Sequence, residues 1–337
     1  MGKRVSLKDI ADKVEVSTAL VSYVMNGQEK EKRVSTEMAR KIWEVAKELN
    51  YRPDYIAQSL RKGSTNTIGL VVADIANPFF SYIARVVEDE TGKYGYTAVF
   101  GSSDERSDKF ESVINTFLNR RVDGVIIVPA EGTKNYVNDL VKKNFPTVLL
   151  DRSFKEINAN YVGLDNYGAS FDAVTHLVHH GYKRIGMISF KSSLMHMKER
   201  VNGYLEAMKS NNLERHIWLQ EISRKTLKHE IKKIFTNFVS GKEQVECMLF
   251  ANNEISVASF YCIQEKKIKI PDELSIIGFD GGEAFDFFYN PVTYIKQPID
   301  LMVKESVRML IDQINGSSEI SQVILKSELI KRRSCCF

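Results

Sequence analysis

From Thr67 onward the chain alternates short apolar runs with helix-length amphipathic stretches, and this alternation narrows the fold more than any other feature. The runs are Ile68–Val72, Tyr96–Phe100, Gly124–Val128, Thr147–Leu150, Arg184–Ile188, Cys247–Phe250 and Leu274–Gly278. Continuous apolar runs separated by helices predict parallel strands buried on both faces. So many strands exceed one comfortable sheet, so the spacing predicts two doubly wound parallel sheets. Thr67-Ile-Gly-Leu-Val-Val and Arg184-Ile-Gly-Met-Ile-Ser open the two halves alike.

In open α/β sheets, ligands bind outside the carboxyl ends of the strands. Two lobes facing each other turn those edges into a cleft. The polar residues just past the strands are the candidates: Asp74, Asn77, Asp151, Arg152, Asp165, Asn166, Asn252, Asn253 and Asp280, with Arg200 near a helix start. Asp, Asn and Arg suit vicinal hydroxyls, because they offer paired acceptors and forked donors. The competing role for the Asp and Asn residues is to cap helices or close loops. Phe79-Phe80 and Phe285–Tyr289 offer rings to stack on a sugar or a base, or to pack between the lobes.

The first 63 residues read differently. They carry 13 Lys/Arg against 9 Asp/Glu, while the remainder balances at 34 of each. All the excess positive charge of the 337-residue chain therefore lies on a small head, the footprint of a phosphate-binding module. Ser6 with Asp9 resembles a capping box, and Leu7, Ile10, Ala11 and Val14 recur at helical spacing. Val14-Glu15-Val16 makes a tight turn. Ser17 then caps Thr18–Met25, where Leu20, Val21, Val24 and Met25 share one arc. Thr18, Ala19, Ser22, Tyr23 and Asn26 share the other. That open face is small, hydroxylated and aromatic, which suits base edges in a major groove. Ser35 caps a third helix buried through Met38, Ala39, Ile42, Val45, Ala46 and Leu49. Lys3, Arg4, Lys30, Lys32 and Arg33 flank the helices as candidate phosphate contacts. Pro53 ends the third helix, and Asp54 to Gly63 could form a two-turn helix that needs outside support.

These residues resemble the head of the LacI/GalR family of bacterial transcription regulators. The resemblance rests on S-L-K-D-I-A, V-S-x-x-x-V-S-x-V-x-N-G, the R-V-S-x-E run, L-N-Y-R-P and A-Q-S-L-R-K-G, and it extends along the chain. It implies a helix-turn-helix DNA-binding domain over 1–50 and a hinge over 51–63. An effector-binding and dimerisation module, similar to periplasmic binding proteins, follows over 64–337. Its N-lobe would span about 64–164 and 296–325, and its C-lobe about 165–295 and 326–337. By position, Thr18, Ala19 and Tyr23 read the major groove, and Leu60, beside Ala57, wedges the minor groove. Ser6, Ser17, Ser22, Asn26, Lys32, Arg33 and Tyr51 complete the DNA-facing set. Asp74, Asn77, Phe79, Asp151, Arg200, Asn252 and Asp280 form the effector set. Two departures stand out. Tyr23 replaces the usual Arg, and Glu15 replaces a usual turn Gly, at a strain of about 1 kcal/mol if its backbone is left-handed.

The resemblance implies a homodimeric repressor of carbohydrate-utilisation genes on a near-palindromic operator. A sugar or sugar derivative in the cleft would switch its affinity. The alternatives are a nucleobase or nucleoside effector, or control by a protein partner. No cofactor is implied. No long apolar run or leader-type stretch occurs, and four Cys in 337 residues fit a reducing compartment, so the expected location is cytoplasmic, on the nucleoid when DNA-bound. His176, His179 and His180 lie at helical spacing without a metal-site pattern, and Cys335-Cys336 lack ligand spacing. No P-loop, GxSxG or GxGxxG occurs, and no acid–base pair can be placed, so nothing indicates an enzyme.

Overall fold

A computed structural model describes residues 5–51, 63–242 and 244–335. The chain divides into two compact units, Met1–Thr65 and Asn66–Phe337.

The small unit contains α1 (Leu7–Val14), α2 (Thr18–Met25) and α3 (Thr36–Glu48). Each begins on a serine cap. Ser6 Oγ accepts from the Asp9 N–H at 3.3 Å, while the Asp9 carboxylate accepts from the Ser6 N–H at 2.7 Å. Ser17 and Ser35 accept from Leu20 N–H and Met38 N–H. Glu15 adopts φ 62°, ψ 45°, the left-handed conformation that a turn glycine would take without strain. This bend sets α2 against α1. The resulting core is small: Ile10, Val14, Val21, Val24, Ile42 and Ala46 are all buried.

The large unit holds two six-stranded sheets. The first is built from β1 (Thr67–Val72), β2 (Thr97–Ser102), β3 (Gly124–Ile127), β4 (Thr147–Leu150), β5 (Asn160–Leu164) and β11 (Gln322–Leu325). The second is built from β6 (Ile185–Phe190), β7 (Trp218–Ile222), β8 (Cys247–Phe250), β9 (Ser275–Phe279), β10 (Thr293–Lys296) and β12 (Glu328–Ile330). Their orders, β11-β5-β4-β3-β1-β2 and β12-β10-β9-β8-β6-β7, are the same pattern repeated. Every pairing is parallel except β12 on β10, which is antiparallel.

Helices cover both sheets. α4 (Pro78–Lys93), α5 (Ser107–Asn119), α6 (Lys134–Lys142) and α12 (Ile299–Ile314) bury their apolar faces on the first. α7 (Asn166–His179), α8 (Met195–Ser210), α9 (Leu227–Val239), α10 (Asn253–Glu265) and α11 (Glu283–Phe287) do so on the second. The chain crosses between lobes after β5, after β10 and between β11 and β12.

The repeated Ile-Gly has a packing cause. A Cβ on Gly69 would lie 2.4 Å from the Phe117 ring, and one on Gly186 would lie 2.5 Å from the Trp218 ring. Each central strand therefore lets a large ring rest on its backbone. Among the described residues, no helix is long and apolar enough to cross a membrane.

Candidate functional site

In the small unit, Thr18 and Ala19 are exposed and Tyr23 is half-buried on α2. Lys32 lies beside them, its Nζ 5.8 Å from the Tyr23 ring centroid and 2.9 Å from Glu31. Arg33 is exposed at φ 55°. Other members of the DNA-facing set have local duties. Ser6 and Ser17 cap helices, Asn26 Nδ2 donates to Ser22 Oγ at 3.1 Å, and Tyr51 packs against the head core. Ala57 and Leu60, with Lys3 and Arg4, lie outside the described residues.

In the large unit, Asn77, Phe79, Asp151, Arg200, Asn252 and Asp280 converge on one cavity. Asp74 does not. It accepts from the Ala76 N–H and lines an adjoining groove that shares Asn77, Phe79, Asp280 and Gln297 with the cavity. Asn77 and Asn252 cap α4 and α10 through their side-chain oxygens while also lining the cavity. Asp165 only caps α7. The Phe285–Tyr289 run divides: Phe285 is buried 5.0 Å from Phe260, the Tyr289 hydroxyl bonds the Ile268 and Ile270 backbone, and Phe287 is exposed. The His176 and His180 rings lie 4.3 Å apart, tilted by 54°, and no cluster of three possible metal ligands occurs among the described residues.

Arg200 is held from several sides in the cavity. It is 2 % exposed, donates from Nε to Asn166 Oδ1 at 2.7 Å and from a guanidinium nitrogen to the Ala251 carbonyl at 2.6 Å, and lies 3.6 Å over the Phe279 ring. Asp280 accepts from Gln297 Nε2 at 2.7 Å and from the Asn253 N–H at 3.3 Å. Arg152 grips Glu105 through two nitrogens, both at 2.8 Å. Arg224, from the other lobe, reaches the same carboxylate at 3.2 Å and also pairs with Glu254.

Three cleft carboxylates, Glu105 at φ 57°, Asp151 at 65° and Asp280 at 76°, sit on left-handed backbone. Such strain concentrates where a side chain must be aimed. Four buried polar atoms without a hydrogen-bond partner also belong to residues that line this one cavity: Asp151 Oδ1, Arg152 Nε, His196 Nδ1 and Gln297 Oε1. Each unmade bond costs about 1–3 kcal/mol, so their gathering marks a site for a polar guest. The cavity measures about 30 Å³, room for about two waters. A sugar-sized guest therefore requires side chains or lobes to move.

Burial sets the charge states. His196 is held well below the usual imidazole range by burial, then by Arg152, Arg200 and Arg224, so it is neutral. Burial pushes the Asp151 carboxyl up to about 6 from 3.8, against the pull of Arg152 and Arg200. The folded state thus binds this proton more tightly than the unfolded chain. The stability so gained is complete below about pH 4 and is lost as pH rises through 6. Asp151→Asn should therefore gain on the wild type, by up to about 3 kcal/mol between pH 4 and pH 7.5. Urea unfolding at both pH values measures this, and parallel pH profiles would refute it.

Residues 6–54 match bacterial regulatory proteins of the lacI family, and residues 174–335 match a periplasmic binding protein-like domain. The chain belongs to the lacI family of bacterial regulatory proteins. It is similar along 98% of its length to the HTH-type transcriptional repressor PurR of Pasteurella multocida, at 28% identity and 98% of that protein. The lac repressor dimer bound to operator and an anti-inducer shares the fold. It superposes with a TM-score of 0.85 over 99% of this chain and 100% of that one, at 23% identity. A periplasmic binding protein/LacI transcriptional regulator from Alkaliphilus metalliredigens QYMF, complexed with D-xylulofuranose, matches 81% of this chain and 100% of its own. Its identity is 25% and its TM-score 0.72. As a lacI-family member the chain is a DNA-binding transcription regulator, and the two-sheet fold read from its strand pattern is borne out.

The sequence reading passed over Glu105, His196, Arg224 and Gln297. Glu105, Arg224 and Gln297 follow β2, β7 and β10, so the rule that selected Asp151 also selects them once those strand ends are known. The signal for His196 was only its place near the start of α8.

Proposed function

We propose that this lacI-family protein is a homodimeric repressor whose operator affinity is set by a small polar molecule in the cleft. The observation that carries this reading is the gathering of unpartnered buried polar atoms around Arg200, Asp280 and Asp151. The D-xylulofuranose complex of the Alkaliphilus regulator supports a sugar or sugar derivative as the guest, and the PurR relatives' description as repressors supports the sense of regulation. The dimer face is a groove of about 1370 Å³ between α4 and α10, lined by Tyr82, Leu227, Val257, Tyr261 and Ile299. Tyr82 is 46% and Tyr261 72% exposed there, large apolar surfaces that a second copy would cover.

On DNA, each α2 docks in one half-site of a near-palindrome. Thr18, Ala19 and Tyr23 meet base edges, and Lys32 and Arg33 meet phosphates. Leu60, with Ala57, wedges the central minor groove. The guest binds the open and closed lobe poses with different affinity, and that difference is what shifts DNA binding.

Operator fragments selected from random DNA by the purified protein test this directly. Binding is measured by anisotropy at fixed salt, with and without sugars, sugar acids, sugar phosphates and nucleobases. Selection of a two-fold symmetric site, released or tightened by one compound class, is the expected result. Unselective binding that no compound alters would overturn it. Within that assay, Tyr23→Ala should cost about 1–3 kcal/mol on the selected site and little on random DNA. Equal losses on both would remove Tyr23 from base contact.

A further inference from the structure

One carboxylate in the cleft is gripped from both lobes. Glu105 follows β2 of the first lobe and is 14% exposed. Arg152, which follows β4 of the same lobe, holds both its oxygens at 2.8 Å. Arg224, which follows β7 of the second lobe, reaches Oε1 at 3.2 Å. Glu131 also bridges the lobes, accepting from the Ser192 and Ser193 hydroxyls.

Three observations suggest that Glu105 stands in for something. First, a forked guanidinium pair converging on one planar anion is the geometry of oxyanion recognition. Second, Asp104 at φ 50° and Glu105 at 57° hold two successive non-glycine residues in the left-handed region to turn that carboxylate inward. Third, Arg152, itself 5% exposed, has a buried Nε without a hydrogen bond, 3.5 Å from Asp151, and this residue lines the same cavity as Arg200 and Asp280. Neutral hydroxyls need neither a second guanidinium nor an internal carboxylate to balance it.

We infer that Glu105 is a built-in pseudo-ligand of an Arg152–Arg224 oxyanion clamp, and that the effector carries a carboxylate or phosphate that takes its place. This rests on the reading of the cleft as the effector site and names the class of molecule it admits: a sugar acid or sugar phosphate rather than a neutral sugar or base. Exchange of one anion for another keeps the charge balance of the cleft. It releases Glu105 and its loop from Arg224, which alters the bridge between the lobes.

The test uses the full-length wild type, Glu105→Gln and Glu105→Gln/Arg224→Ala. Melting is followed at matched ionic strength with inorganic phosphate, D-gluconate, D-glucose 6-phosphate, D-glucose and hypoxanthine as probes. The Gln variant removes the competing charge while keeping the side chain's size. Inorganic phosphate should raise its melting temperature by roughly 5 °C at saturation, several-fold more than in the wild type, and by nothing beyond the chloride control in the double variant. D-gluconate against D-glucose 6-phosphate then tells a carboxylate from a phosphate guest. Equal phosphate shifts in all three proteins, or a larger shift with D-glucose or hypoxanthine than with the anions, would overturn the clamp while leaving a small-molecule effector standing. No shift with any probe in any of the proteins would overturn both.

Discussion

Ile42→Ala is expected to unfold the DNA-binding head and leave the two-lobed unit intact. Ile42 is fully buried among Ile10, Val14, Val21, Val24 and Ala46, in a core supplied by three short helices. Removing a large buried aliphatic costs about 2–5 kcal/mol, because the cavity collapses only in part. A domain of this size seldom holds more than about 3–5 kcal/mol of its own. The loss therefore matches the whole stability of the head. Operator binding should fall by well over tenfold, with loss of helical signal at a low-temperature transition. The melting of residues beyond Asn66 should stay put. A variant that binds operator at the wild-type level would mean that the head draws its stability from elsewhere.

Arg200→Ala should be almost as damaging, in the other unit. The substitution strands Asn166 Oδ1 and the Ala251 carbonyl, uncovers the Phe279 ring, and removes a buried cation that faces Asp280 and Asp151. Breaking a buried charged network from one side costs about 3–5 kcal/mol. At about 2–4 °C per kcal/mol for a unit this large, the melting temperature should drop by roughly 6–20 °C. Loss of ligand response in this variant would then report on the fold as much as on a contact. Arg200→Lys keeps the charge and separates the two: it should regain part of the stability without the forked geometry. A melting temperature unchanged in Arg200→Ala would show that the neighbouring backbone reclaims those bonds.

The two sheets were legible because their central strands are unbroken apolar runs. Gly124–Ile127, Thr147–Leu150 and Cys247–Phe250 are buried at every position, and such a pattern has few other uses. The edges were not legible. Gln322–Leu325 and Glu328–Ile330 mix exposed and half-buried residues over three or four positions, too short to separate from loop. The same difference governs the cleft. Asp151, Asn252 and Asp280 follow obvious strands and were found. Arg224 and Gln297 follow β7 and β10, whose mixed composition hid their ends. Asp74 follows the clearest strand of all, and its carboxylate closes a local turn beside the cavity. Strand ends say where a ligand could sit, while the tilt of one turn decides which side chain arrives there.

The three passages of the chain between lobes also bear on how the large unit breaks. The first sheet ends with β11, supplied after the chain has already built most of the second, and the second closes with β12. No single backbone cut therefore releases a lobe: whichever passage is severed, two remain. A protease nick at one crossing should give two fragments on a denaturing gel and one particle by gel filtration. A gene truncated before Gln322 would remove an edge strand from both sheets at once, so neither lobe can be expressed as a contiguous piece of this sequence.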